Sequence, residues 1–156
     1  MRAPGVLVLG AGLAGLQLAA ALREMTYAGT LTLAGDEAQA PYHRPPLSKG
    51  FLLGATDAAR LAMRPASFFA EKDIELRLAC RAVVIDRSRQ CVQFSDGSET
   101  AYQHLVLAVG ARNRVLAIEG AGLAGVHALR TLDDATALHQ HLQSSPRVVV
   151  IGAGFI

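Results

Sequence analysis

Gly10-Ala11-Gly12-Leu13-Ala14-Gly15 follows directly on the apolar run Val6-Leu7-Val8-Leu9, and this junction constrains the fold more than any other stretch of the 156 residues. A short, unbroken apolar run bounded by glycine is what a strand buried on both faces looks like. Leu13 to Met25, rich in Ala and Leu, predicts a helix, with Gly29 as its stop and Thr30-Leu31-Thr32-Leu33 as a second strand. Strand, glycine turn, helix and strand make a βαβ unit whose strands are parallel neighbours.

In this context each glycine of Gly10-x-Gly12-x-x-Gly15 has a physical role. Gly10 permits the tight turn, Gly12 lets backbone approach a pyrophosphate, and Gly15 lets helix and strand pack closely. The helix N-terminus directs N–H groups and partial positive charge at the phosphates. Asp36, 21 residues beyond Gly15, falls at the end of the second strand, where a carboxylate accepts from the ribose hydroxyls of adenosine. FAD and NAD both carry an ADP half, so the motif leaves the choice between them open. An acid at Asp36 disfavours a 2′-phosphate.

Further along, Pro41-Tyr42-His43-Arg44-Pro45-Pro46 is a proline-stiffened loop leading into Leu47-Ser48-Lys49, and Pro65 opens a short helix running to about Lys72. From Ile74 the pattern turns to β, with strands expected at Ile74–Leu78, Ala82–Ile85, Cys91–Phe94 and Glu99–Tyr102 and a turn at Asp96-Gly97. His104 to Gly110 reads as another buried strand, 111–127 as a looser stretch, and Leu132 to Gln143 as a helix. Pro146 breaks that helix. Arg147–Ile151 then reads as a strand entering a second glycine turn, Gly152-x-Gly154. The expected architecture is α/β and Rossmann-like, a parallel sheet with a β-meander excursion, with a second fold of the same kind beginning at residue 146.

Composition removes other classes. Fifteen basic residues against 13 acidic give a net charge of +2, and aromatics are 5%, so neither the basic stripe nor the stacking platform of a nucleic-acid binder is present. The apolar stretch Val6–Leu22 is interrupted by three glycines and Gln17 and closed by Arg23-Glu24, so it reads as neither a signal peptide nor a membrane span. Cys80 and Cys91, eleven apart, match no disulfide or zinc pattern and are expected to be buried, which points to a reducing, cytoplasmic setting. His104, His127, His139 and His141 suggest no metal set, and Asp133-Asp134 suits the positive end of a helix. Lys49 is one of only two lysines.

The loop Pro41-Tyr42-His43-Arg44-Pro45-Pro46-Leu47-Ser48-Lys49 resembles the flavin-facing loop of FAD-dependent ferredoxin reductases, the group that includes rubredoxin and putidaredoxin reductases. Three later stretches resemble the same group in order: Leu105 to Arg112, Leu129 to Ala135, and Val149 to Ile156, the last similar to the opening of its NADH-binding domain. The resemblance implies an FAD-binding domain over 1–145 and the start of an NAD(P)H-binding domain over 146–156. It implies that Ala14 and Asp36 contact the ADP part of FAD, with Ala82 at the adenine end. Arg44, Pro45 and Lys49 would face the flavin, Arg130 would contact the cofactor, and Gly152 and Gly154 would serve NADH. It also implies a glutamate partner for Lys49 past the second glycine turn. Cations near the flavin favour its anionic reduced form.

The activity implied is transfer of electrons from NADH through FAD to a ferredoxin- or rubredoxin-type acceptor, with residues 1–156 alone not expected to turn over. A second reading is a dinucleotide-binding module without turnover. Val109 stands where the group has a threonine, and no C-x-x-C or C-x₄-C follows the glycine motif, which argues against the disulfide-reductase branch.

Overall fold

The structure, a computed structural model, describes residues 4–114, 116–144 and 147–152. The chain forms two compact units, Met1–Tyr42 with Ala62–Gly110, and His43–Leu61 with Ala111–Ile156.

The first unit carries a six-stranded sheet. Its elements are β1 (Gly5–Leu9), α1 (Leu13–Glu24), β2 (Leu31–Ala34), α2 (Ser67–Glu71), β3 (Glu75–Arg77), β4 (Ala82–Asp86), β5 (Cys91–Phe94) and β6 (Glu99–Leu107). The strand order is β3-β2-β1-β6-β5-β4. β3, β2, β1 and β6 run parallel, while β4, β5 and the first part of β6 form the antiparallel meander. The order reverses between β1 and β6, the kind of switch point outside whose strand ends α/β sheets bind ligands.

β1 is buried along its whole length, so its alternating side chains feed two cores. Val6 and Val8 pack with Leu16 and Ala19 of α1, Leu31 and Leu33 of β2, Phe69 and Ile74. Leu7 and Leu9 pack on the other side with Cys80, Val92, Phe94 and Tyr102, so that the meander supplies the second face.

The expected α/β fold is present, with three local differences. Glu99–Tyr102 and the run from His104 form one nine-residue strand rather than two. Its first part pairs antiparallel with β5 (Cys91 opposite Ala101) and the part from Tyr102 parallel with β1 (Val8 opposite Val106), so the change in hydrophobic pattern at Gln103 marks a register irregularity just past a change of neighbour and not a break. The helix stop also differs. α1 ends at Glu24, and Thr26, at φ 60°, takes the left-handed position expected of Gly29. The N–H groups of Thr26 and Tyr27 donate to the carbonyls of Arg23 and Leu22, and Arg23 Nη1 donates to the carbonyl of Gly29 at 2.9 Å. Finally, 147–152 forms neither helix nor strand, and Val148 to Ile151 are exposed. An apolar run becomes a strand only where a neighbour takes its hydrogen bonds, and none does among the described residues.

In the second unit, α3 (Leu132–Ser144) packs on the 3₁₀ turn Pro45–Ser48, with Leu47, Leu132 and Ala135 buried. Thr131 and Asp134 cap it reciprocally: Asp134 Oδ2 accepts from the N–H groups of Arg130 and Thr131 at 2.9 and 2.8 Å, and Thr131 Oγ1 accepts from the N–H of Asp134 at 3.1 Å. Asp134 is therefore a specific cap as well as a favourable charge. No helix among the described residues is long and apolar enough to cross a membrane.

Leu33 is fully buried between β1 and α1. Leu33→Ala is expected to lower stability by about 2–5 kcal/mol. Urea denaturation followed by circular dichroism checks this, and an unchanged midpoint would contradict the packing described.

Candidate dinucleotide site

The turn after β1 is built by contacts that exclude side chains. Gly10 has φ +114°, its N–H donates to the carbonyl of Ala34 at 2.7 Å, and a Cβ there would lie 2.1 Å from the carbonyl oxygen of Ala108. A Cβ at Gly15 would lie 2.0 Å from the carbonyl oxygen of Gly10. Both positions are glycine because backbone occupies the space of a side chain.

Gly12 is different. Its φ of −95° and ψ of −166° suit any residue, and a Cβ there would meet nothing within 4 Å. No packing inside the unit requires glycine at this position. It stands at the N-cap of α1, where no side chain caps the helix and the first turn has no acid. Leu13 and Ala14 are exposed beside it. Uncapped first-turn N–H groups, the positive end of the helix dipole and open space meet at one point, and these features fit a diphosphate.

The acid lies next to this turn. Asp36 follows β2 by two residues, and the Gly10–Ala34 hydrogen bond ties the end of β2 to the glycine turn. Gly35 seals the junction, since a Cβ on it would come 2.7 Å from that of Ala11. The two consecutive acids Asp36 and Glu37 meet different partners. Tyr42 donates its hydroxyl to Glu37 Oε2 at 2.5 Å, whereas the side chain of Asp36 is 54% exposed and meets Arg81 Nη2 at 3.2 Å. The backbone around Arg81 is fixed to the same loop, because the N–H of Cys80 donates to the carbonyl of Gly35 at 2.8 Å. Ala82, half-buried, then opens β4. In the first unit, Gly10, Gly12, Ala14, Gly15 and Asp36 thus gather at the carboxyl ends of β1 and β2. Arg81 reaches Asp36 from 45 positions away, and no local pattern in the sequence marks it.

Four of the remaining expected residues fall in the second unit. Arg44 precedes the 3₁₀ turn, and its Nη1 donates to the carbonyl of Arg130 at 2.9 Å, joining two candidate positions 86 residues apart. Pro45 is exposed in the turn, and Lys49 ends it, with its N–H on the carbonyl of Pro46 at 3.0 Å and its side chain exposed. Gly152 has φ +113° with open space around it, and Gly154 lies outside the described residues. Val109, where the resembling group has threonine, is exposed at the end of the first unit.

Cys80 and Cys91 are both buried and free, and burial pushes the Cys80 thiol up from its ordinary value. The described residues hold no group of three or more His, Cys, Asp or Glu that could bind a metal ion.

Sheet order, switch point and glycine turn together define a Rossmann-type dinucleotide-binding fold. Residues 4–156 match the family described as pyridine nucleotide-disulphide oxidoreductase, and the chain belongs to that family. It is 46% identical to rhodocoxin reductase of Rhodococcus erythropolis over 151 residues, covering 97% of this chain and 35% of that protein. It is 42% identical to a rubredoxin-NAD(+) reductase of Pseudomonas putida, covering 97% and 39%. Among solved structures it is similar to the ferredoxin reductase for the CYP199A2 system from Rhodopseudomonas palustris, with a TM-score of 0.85 and 44% identity over 90% of this chain and 34% of that one. The chain spans little more than a third of the length of these relatives.

The contrast between the glycines is testable by thermal denaturation. Gly10→Ala is expected to destabilise the protein by about 2 kcal/mol or more, through clash and a left-handed backbone. Gly12→Ser leaves stability within about 0.5 kcal/mol, since serine is a good N-cap. Equal losses in the two variants would contradict the assignment.

Proposed function

We propose that this chain is the FAD-binding portion of a reductase that takes electrons from NADH and delivers them to a ferredoxin- or rubredoxin-type acceptor. The observation that carries the reading is Gly12: a glycine that the protein's own packing does not need, at the uncapped N-terminus of α1, beside an exposed acid. A ligand that brings a diphosphate against backbone and ribose hydroxyls against a carboxylate explains all three features.

Within this reading, the N–H groups at Gly12 to Gly15, with Ala14 exposed among them, hold the diphosphate. Asp36 accepts from the adenosine ribose, and Ala82 borders the adenine end. Arg44, Pro45 and Lys49 serve the flavin side and Arg130 the cofactor, roles that rest on the resemblance of the 41–49 loop to the ferredoxin reductases. Lys49 is the candidate catalytic residue, a cation that stabilises negative charge on the reduced ring. FAD, when bound, supplies the means of accepting a hydride and passing electrons on singly. The protein contributes binding, orientation and electrostatics.

Residues 1–145 form the FAD-binding part in this account and 146–156 open the nicotinamide-binding part, with Gly152 and Gly154 in its first turn. The names of the relatives support the acceptor class: they act on rhodocoxin, rubredoxin or ferredoxin by their own descriptions. Two free, buried cysteines support a cytoplasmic setting.

Titration of the flavin-free protein with FAD, followed by quenching of flavin fluorescence, tests the reading. Saturable quenching is expected, with affinity reduced about tenfold in Asp36→Ala, the loss of hydrogen bonds to a charged acceptor. No quenching by a protein that is folded by circular dichroism would overturn it, as would equal affinity in the variant.

A further inference from the structure

Arg81 belongs to no glycine motif and to none of the stretches that resemble the ferredoxin reductases, yet it is the side chain that meets the ribose acid. Its Nη2 lies 3.2 Å from Asp36 Oδ2, with Arg81 71% and Asp36 54% exposed. An ion pair this open to water adds little to stability. The backbone beneath it, by contrast, is held from several directions. The N–H of Ser95 donates to the carbonyl of Arg81 at 2.8 Å, and the N–H of Arg81 donates to Ser95 Oγ at 3.3 Å. The N–H groups of Ala79 and Cys80 donate to the carbonyls of Glu37 and Gly35, both at 2.8 Å, on either side of Asp36. The chain thus projects an exposed cationic side chain from a fixed point, directed at one carboxylate.

We propose that Arg81 is a positioning residue for the adenosine end of the site, acting through Asp36; the inference rests on the reading of that site as an ADP-binding one. Two physical effects follow from the geometry. The guanidinium occupies Oδ2 and steadies the carboxylate, leaving Oδ1 to accept from a ribose hydroxyl. It also offsets the negative charge of Asp36, which otherwise opposes the approach of a ligand carrying a diphosphate. Arg81 accordingly tunes affinity for ligands that carry an adenosine ribose.

A double-mutant cycle on flavin-free protein, with FAD as the probe, tests this. Arg81→Ala is expected to raise the Kd for FAD about threefold to fivefold, the range set by an exposed charge pair. Arg81→Lys restores part of the loss. In an Asp36→Asn background, where there is no carboxylate to steady, Arg81→Ala has no further effect, and the thermal midpoint is the same in all the variants. An unchanged Kd in Arg81→Ala overturns the inference, and so does a loss of equal size in the Asp36→Asn background. The two levels separate cleanly. If Asp36→Asn weakens binding while Arg81→Ala does not, only the role of Arg81 falls. If a folded Asp36→Asn protein binds FAD unchanged, the ADP reading of the site falls and takes this inference with it.

Discussion

The close approach of backbone to backbone at the end of β1 organises the first unit. Gly10 lies against the carbonyl of Ala108 on one side and donates to the carbonyl of Ala34 on the other, while Gly15 lies against the carbonyl of Gly10. Three segments far apart in sequence can meet this tightly only where side chains are absent. With the turn compressed in this way, α1 starts within a few residues of the strand end and returns over the sheet, and its Leu16 and Ala19 reach Val6, Val8, Leu31 and Leu33. The same compression leaves the helix N-terminus open. Structure and candidate function therefore share one constraint: the glycines that allow the core to close also expose the N–H groups that a diphosphate needs.

Around that turn the sheet divides labour between its two halves. Parallel strands β3, β2, β1 and β6 set the switch point, and the antiparallel meander covers the face that α1 does not. β6 belongs to both, pairing with β5 through Glu99–Ala101 and with β1 through Tyr102–Leu107. The meander does more than fill space. Its entry, at Cys80 and Arg81, is hydrogen-bonded to the loop that carries Asp36, so the charge environment of that carboxylate depends on a segment distant in the chain.

Features that depend on neighbours in sequence were legible from the sequence, and features that depend on neighbours in space were not. The βαβ unit was readable because the apolar run, the glycine spacing and the Ala/Leu helix are contiguous, and the place of Asp36 just past β2 because it falls at a fixed distance along the same unit. The single strand β6 was not, because Gln103 is skipped in the register just past the point where the strand exchanges one partner for another, and a pattern of burial reports the partner rather than the backbone. Thr26 took the left-handed position at the end of α1 in place of Gly29, held by backbone hydrogen bonds and by Arg23. Val148 to Ile151 carry a strand's composition without a strand's partner among the described residues. Arg81 was invisible for the same reason: only the fold brings it to Asp36.

The central claim is that a diphosphate rests on the open N-terminus of α1 at Gly12. Backbone amide spectra of the ¹⁵N-labelled protein, recorded by NMR during titration with ADP, test it most directly. The account predicts that the largest shifts fall on Gly12, Leu13 and Ala14, with a second set at Asp36 and Arg81. Shifts concentrated elsewhere, with the amides of the glycine turn unmoved at saturation, would contradict it.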